Sequence, residues 1–221
     1  MEAGRFVSEE VIPRLRGLLH AHAAWVAAAA AAVLVALAPT AGARVAALIY
    51  GLGLIALFSA SALYHRWPGD PRWRPWLRRV DHSAIFVFIA ASYTPVAMLV
   101  LDGPIATAVL ISVWAGAAAG VGLSLAWITA PRLLVAACYL ALGWVAVIAA
   151  PELWRQAGVA PFVLLAAGGA LYSLGAAVYA AQRPNWWPRT FGFHEVFHAL
   201  VIAAALVHFI AMAGWVVPGA N

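Results

Sequence analysis

Apolar residues run along this chain in seven long blocks, each near the ~20 residues that a helix needs to cross a bilayer. The blocks cover residues 20–38, 46–66, 81–100, 104–127, 131–150, 160–180 and 194–216. Turn-forming residues interrupt them. Pro39-Thr40-Ala41-Gly42 ends the first block, Pro68-Gly69-Asp70-Pro71 ends the second, and Asp102-Gly103-Pro104 separates the third from the fourth. Pro131, Pro151 and Pro184 mark later boundaries. The connections are short. The pattern therefore predicts an all-α integral membrane fold, a single seven-transmembrane helix bundle over residues 20–216. A short segment, 1–19, precedes it and a short tail, 217–221, follows. A weak amphipathic pattern places 1–19 on the inner membrane surface. Gly116 and Gly120, with the alanines of 27–32, predict closely packed helix faces.

Composition agrees with this reading. Of the 221 residues, 66% are hydrophobic and 10% charged, against about half and about a quarter in a soluble domain. The net charge is +5, and every basic residue is Arg. A basic, aromatic-rich soluble module is lacking, so nucleic-acid binding is excluded as the reason for that charge. Arg placement instead sets topology. Eleven Arg (5, 14, 16, 66, 72, 74, 78, 79, 132, 183 and 189) fall on the N-terminal side of seven spans, and only Arg44 and Arg155 on the other. That bias predicts a cytoplasmic N-terminus and an external C-terminus, in a multi-pass protein of the cell's inner (plasma) membrane. Trp67, Trp73, Trp76, Trp186 and Trp187 fit an inner aromatic belt, and Trp154 and Trp215 an outer one. Glu2, Arg5, Glu9, Glu10 and Pro13 precede any apolar run, so the first helix is expected to act as an uncleaved anchor. The one cysteine, Cys138, excludes an internal disulfide and argues against a cysteine metal site.

Ionisable groups in or beside apolar helices are costly, and they are functional candidates for that reason. His65 ends the second predicted helix, Asp81 opens the third, and His194 and His198 begin the seventh. All four fall at the arginine-rich face. His194 and His198 are spaced i, i+4, as are Ser61 and His65, so each pair shares a helix face. Three imidazoles at one depth suit zinc, whose catalytic sites use three protein ligands and leave a fourth position open. Bound zinc lowers the pKa of its water to about 7. Asp81 could steer or deprotonate that water, and Ser61 could support the site or polarise a carbonyl. His20 and His22, at the inner end of the first helix, read as interfacial or hydrogen-bonded residues. His82 reads as structural, one helix step from Asp81. His208 lies ~20 Å along the helix from His194, too far to share an ion, and is expected to hydrogen-bond another helix.

His194-Glu195-Val196-Phe197-His198 also matches H-E-x-x-H, the pattern of zinc proteases in which the glutamate is general base. Chain order argues against that reading. The motif opens the last helix, so further ligands must come from upstream. Glu195 instead suits a helix first turn, where negative charge is favoured.

Ser61-Ala62-Leu63-Tyr64-His65, Asp81-His82-Ser83-Ala84-Ile85-Phe86, Ser92-Tyr93-Thr94-Pro95 and His194-Glu195-Val196-Phe197-His198, followed by His208, resemble the bacterial hemolysin III proteins. These belong with the progestin and adipoQ receptors and, more distantly, the alkaline ceramidases. The resemblance runs from the second helix through the seventh. It implies a seven-helix fold with its N-terminus inside, and zinc held by His65, His194 and His198. It further implies Asp81 and Ser61 as the carboxylate and hydroxyl that contact the water, and His208 as a non-ligand. The leading expectation is a zinc-dependent hydrolase of a lipid amide or ester at the inner leaflet. The alternative is a non-enzymatic sensor of membrane lipid or fatty acid, with zinc tying helices together. An intramembrane protease and a proton-linked transporter rank lower. A cytolytic pore fits poorly with seven apolar spans.

Overall fold

A computed structural model of the protein describes Pro13, residues 15–187 and residues 189–219. The expectations for most of the N-terminal segment, Arg5 and Arg14 included, and for the last two residues of the tail lie outside the described residues. Eight α-helices follow in order: α1 Leu18–Leu37, α2 Ala41–Arg66, α3 Arg74–Leu99, α4 Gly103–Ala126, α5 Arg132–Gly143, α6 Ala146–Ala157, α7 Val159–Ala181 and α8 Phe193–Ala211. A π-helical turn, Met212–Val216, extends α8. With α5 and α6 taken as one span, seven helices are long and apolar enough to cross a membrane. The fold is all-helical among the described residues, as the apolar pattern predicts.

Two helices start well before their apolar blocks do. Thr40 caps α2, its hydroxyl accepting the Ala43 N–H at 3.1 Å, so the helix begins at Ala41 rather than near 46. α3 begins at Arg74 with Pro75 in its first turn. The polar stretch from Arg74 to Arg79 is helical without being apolar, so Asp81 lies two turns inside α3 instead of opening it.

The fifth predicted span is broken, and not where Pro151 suggests. Pro151 lies within α6, and the helix stops at Gly158, whose φ is +81°. The break falls at Trp144 and Val145, where i→i−3 bonds replace the regular ladder: Val147 N–H to Trp144 C=O at 3.1 Å, and Ile148 N–H to Val145 C=O at 3.0 Å. Tyr93 of α3 clasps the gap. Its hydroxyl donates to the Gly143 carbonyl and accepts the Ala146 N–H at 2.8 Å. Backbone groups freed at a membrane break need such partners, because lipid offers none.

Close helix approach comes from small residues, as packing without a hydrophobic driving force requires. A Cβ on Gly51 would stand 2.5 Å from Ala31 Cβ of α1, and one on Gly53 would stand 2.5 Å from Ala91 Cβ of α3. α2 thus presents one glycine to each neighbour. Gly116 and Gly120 also mark tight packing, but against side chains, Leu142 and the Phe86 ring respectively. The interior holds Tyr50, Phe58, Phe86, Phe88, Val113 and Met212. The outer surface is apolar, with Trp25 80% and Leu37 76% exposed, as a lipid-facing surface should be. Trp73, Trp76, Trp186 and Trp187 are exposed at one end of the bundle, and Trp154 and Trp215 at the other.

Candidate metal centre

Antiparallel chain order brings the end of α2, the first half of α3 and the starts of α1 and α8 to one end of the bundle. His65, near the C-terminus of α2, meets His194 and His198 of α8 there. One ligand nitrogen from each of the three rings lies within 4.8 Å of the others, and together they can hold a metal ion. His65 Nε2 and His194 Nε2 are 3.0 Å apart, a hydrogen bond between the rings. Ring centroids are 4.5 Å apart for His194 and His198, and 5.2 Å for His65 and His198. His198 is buried, and the other two are half-buried.

The spacing suits a small tetrahedral ion. Zinc–nitrogen bonds of 2.0–2.1 Å set ligand nitrogens about 3.3 Å apart, so the 3.0 Å pair needs only a few tenths of an ångström of opening. No fourth His, Cys, Asp or Glu joins the group among the described residues.

Asp81 and Ser61 are both buried at this end. The Asp81 carboxylate is not part of the ligand group. His82 reaches around to place Nδ1 3.6 Å from Asp81 Oδ2, closer than one helix step suggests.

His20 is a member of this cluster that helix-by-helix reading passed over. It is only 2% exposed. Its Nδ1 is hydrogen-bonded to Ser61 Oγ at 2.8 Å, and its ring stacks on His198 at 3.8 Å between centroids, tilted by 13°. A ring parallel to His198 and that far from it cannot share an in-plane ion with it, so His20 supports the site without joining the ligands. The signal was available: His20 sits at the same depth as His65 and His194. Gly17 makes the approach possible. Its φ of +73° starts α1, and a Cβ there would lie 2.6 Å from His65 Cβ.

Glu195 is fully buried and fully engaged. Its Oε1 accepts from Arg16 Nε at 2.6 Å, and its Oε2 accepts the Gly192 N–H at 2.8 Å, capping α8. A carboxylate with both oxygens held this way is poorly placed as a general base and serves as the cap of a helix start. His208 bonds across helices as expected, to the Leu165 carbonyl at 3.0 Å.

The family described as Haemolysin-III related matches residues 10–209, which extends the likeness through the first helix. Hemolysin-3 of Bacillus cereus is 30% identical over 182 residues, 82% of this chain and 80% of that one. The Hemolysin-3 homolog of Bacillus subtilis (strain 168) is 30% identical over 164 residues, 74% of each chain. The human monocyte to macrophage differentiation factor is 29% identical over 178 residues, 76% of this chain and 69% of that one. No solved structure matches significantly. The seven apolar helices, the histidine cluster at one end of them and these matches lead to one assignment: the chain belongs to the haemolysin III-related family of multi-pass membrane proteins.

Proposed function

We propose that this protein is a zinc-dependent hydrolase of a lipid amide or ester, working at the inner leaflet of the plasma membrane with its N-terminus in the cytoplasm. One observation carries the reading: three histidine nitrogens converge within 4.8 Å with no fourth protein ligand in the group among the described residues. Three protein ligands and an open position are the mark of catalytic rather than structural zinc. His65, His194 and His198 would hold the ion. Zinc so bound supplies a water of lowered pKa and polarises a carbonyl.

The remaining chemistry belongs to the chain. Asp81, buried at the same end of the bundle, takes a proton from the attacking water and returns it to the leaving amine or alkoxide as the acyl bond breaks. Ser61 donates its O–H to the substrate carbonyl, and the His20 ring holds the hydroxyl in place. Burial excludes bulk water, which strengthens both interactions. The acyl chain reaches the site sideways, between helices, from the leaflet.

Metal analysis of the purified protein tests the site: about one zinc per chain is expected, and none in His194→Ala/His198→Ala. Asp81→Asn should keep the zinc and lose about 10²–10⁴ of lipid turnover. Unchanged turnover would overturn the hydrolase.

A second reading, a lipid sensor with structural zinc, has one observation in its favour. The backbones of α2 and α8 are not closely packed; besides the histidines, Tyr50 faces Phe209 across the gap with ring centroids 6.5 Å apart. An ion would then tie two otherwise loosely joined helices. Zinc that stabilises the fold while no Asp81-dependent turnover occurs would decide for the sensor.

A further inference from the structure

A second polar feature lies at the same end of the bundle, around a small, water-sized cleft between α3, α4, α5 and α7. Arg78, His82, Trp127, Arg132 and Tyr179 line it, and no carboxylate does among the described residues. Arg78 is half-buried and Arg132 exposed. Neither guanidinium has an acidic partner within 4.0 Å or a hydrogen-bond acceptor among the described residues. By contrast, Arg16, Arg72 and Arg155 pair with Glu195, Asp70 and Glu152, and Arg79 bonds the Leu125 carbonyl. The third polar group on this wall, His82, turns its Nδ1 to the Asp81 carboxylate, 3.6 Å away. Two forked cations beside one cleft, neither paired with a carboxylate among the described residues, are donors that a phosphate takes, since guanidinium matches its oxygens two at a time.

The setting selects a lipid as the source. The cavity opens at the end of membrane-spanning helices, its wall includes Val135, and Trp127 beside it is 49% exposed. Tyr179 is the wall between this cavity and the metal centre, for its ring packs on His194 at 6.1 Å between centroids. We propose that Arg78 and Arg132 bind the phosphate of an anionic phospholipid headgroup. On the hydrolase reading, from which this last step follows, the substrate is an acyl lipid carrying such a phosphate. Its headgroup sits on the arginines and its acyl linkage passes Tyr179 towards His65, His194 and His198.

Native mass spectrometry of the full chain in mild detergent, titrated with phosphatidylglycerol or diacylglycerol, tests the headgroup site without reference to turnover. One phosphatidylglycerol per chain should be retained, and diacylglycerol should not. Arg78→Gln/Arg132→Gln should weaken phosphatidylglycerol binding about fivefold per arginine, about 25-fold in all. The exposed pair Arg72→Gln/Arg74→Gln on the same face should change it less than about twofold. Zinc content equal to wild type shows that a variant is folded. Equal weakening by both pairs, or equal retention of the two lipids, overturns the site. Displacement of the lipid by millimolar inorganic phosphate overturns the lipid as its ligand. His194→Ala/His198→Ala separates the two claims. Headgroup binding that survives loss of the metal supports the arginine site by itself. A metal-loaded wild type that binds phosphatidylglycerol yet hydrolyses no phospholipid leaves that site standing and refutes the hydrolase.

Discussion

Breaking the Arg16–Glu195 pair should reveal a strong coupling between the two ends of the chain. The carboxylate is fully buried and the Arg16 side chain is 24% exposed, with 2.6 Å between Nε and Oε1. At an effective dielectric of about 20 that separation corresponds to a gross attraction of about 6 kcal/mol, much of it offset by desolvation. Arg16→Ala leaves a charge in the interior with one remaining bond, from the Gly192 N–H, and should cost about 3–5 kcal/mol. Glu195→Ala removes that charge and lets Arg16 turn to water. It loses chiefly the cap, about 1 kcal/mol. The double variant should therefore be more stable than Arg16→Ala alone, with a coupling of about 2–4 kcal/mol. Equilibrium unfolding of the four proteins in mixed micelles measures this directly. Additivity within about 0.5 kcal/mol would refute the reasoning, and so would a cost for Arg16→Ala below that of Glu195→Ala. The same pair separates the two readings of H-E-x-x-H. Glu195→Gln should keep zinc and turnover here, whereas a protease would lose its base.

Tyr93→Phe removes the clasp on Gly143 and Ala146 and should cost about 1–3 kcal/mol of stability with zinc content unchanged; a neutral result in the same unfolding assay would mean that the break satisfies itself. Gly17→Ala forces an L side chain into φ +73° and against His65, costing about 1 kcal/mol in the backbone and displacing a ligand. Zinc affinity, read by competition with a chromogenic chelator, should fall at least about tenfold, as for a disturbed supporting contact, and an unaltered affinity would contradict the packing argument. Stripping the metal should lower the stability of the wild type by about 2.7 kcal/mol relative to free zinc at a hundred times its Kd. His194→Ala/His198→Ala should be indifferent to the chelator.

The fold was legible because lipid imposes a simple rule: backbone groups must pair within the segment and side chains must be apolar. Seven blocks follow from counting. The same rule hides what lies at their edges. The stretch from Arg74 to Arg79 is helical but polar, so an apolar criterion begins α3 two turns late and moves Asp81 to a helix end it does not occupy. The interruption at Trp144 is invisible for the opposite reason. The run of apolar residues through it is unbroken, and the partner that makes it possible, Tyr93, lies 50 residues earlier on another helix. Pro151 draws attention because it cannot donate, but a proline inside a membrane helix is tolerated where neighbours and local adjustments restore the lost bond.

The site divides along similar lines. His194 and His198 are readable from four-residue spacing, and His65 from depth, because seven antiparallel spans convert position along a helix into height in the bundle. His20 satisfies the same test of height, yet as a lone histidine near a helix start it looks like an interfacial residue. What distinguishes it is the Ser61 hydroxyl and the His198 ring against it, contacts between α1, α2 and α8 that no local pattern encodes. Arg16 and Glu195 are a further case. Each has a sufficient local account, topology for one and helix capping for the other, and only three-dimensional closure shows that each is the other's counterion. In a helical membrane bundle, sequence therefore reports which groups share a height, while their partners around the ring at that height depend on packing. The candidate ligands belong to the first kind of information. The residues that hold them in place, Gly17, His20 and the Arg16–Glu195 pair, belong to the second.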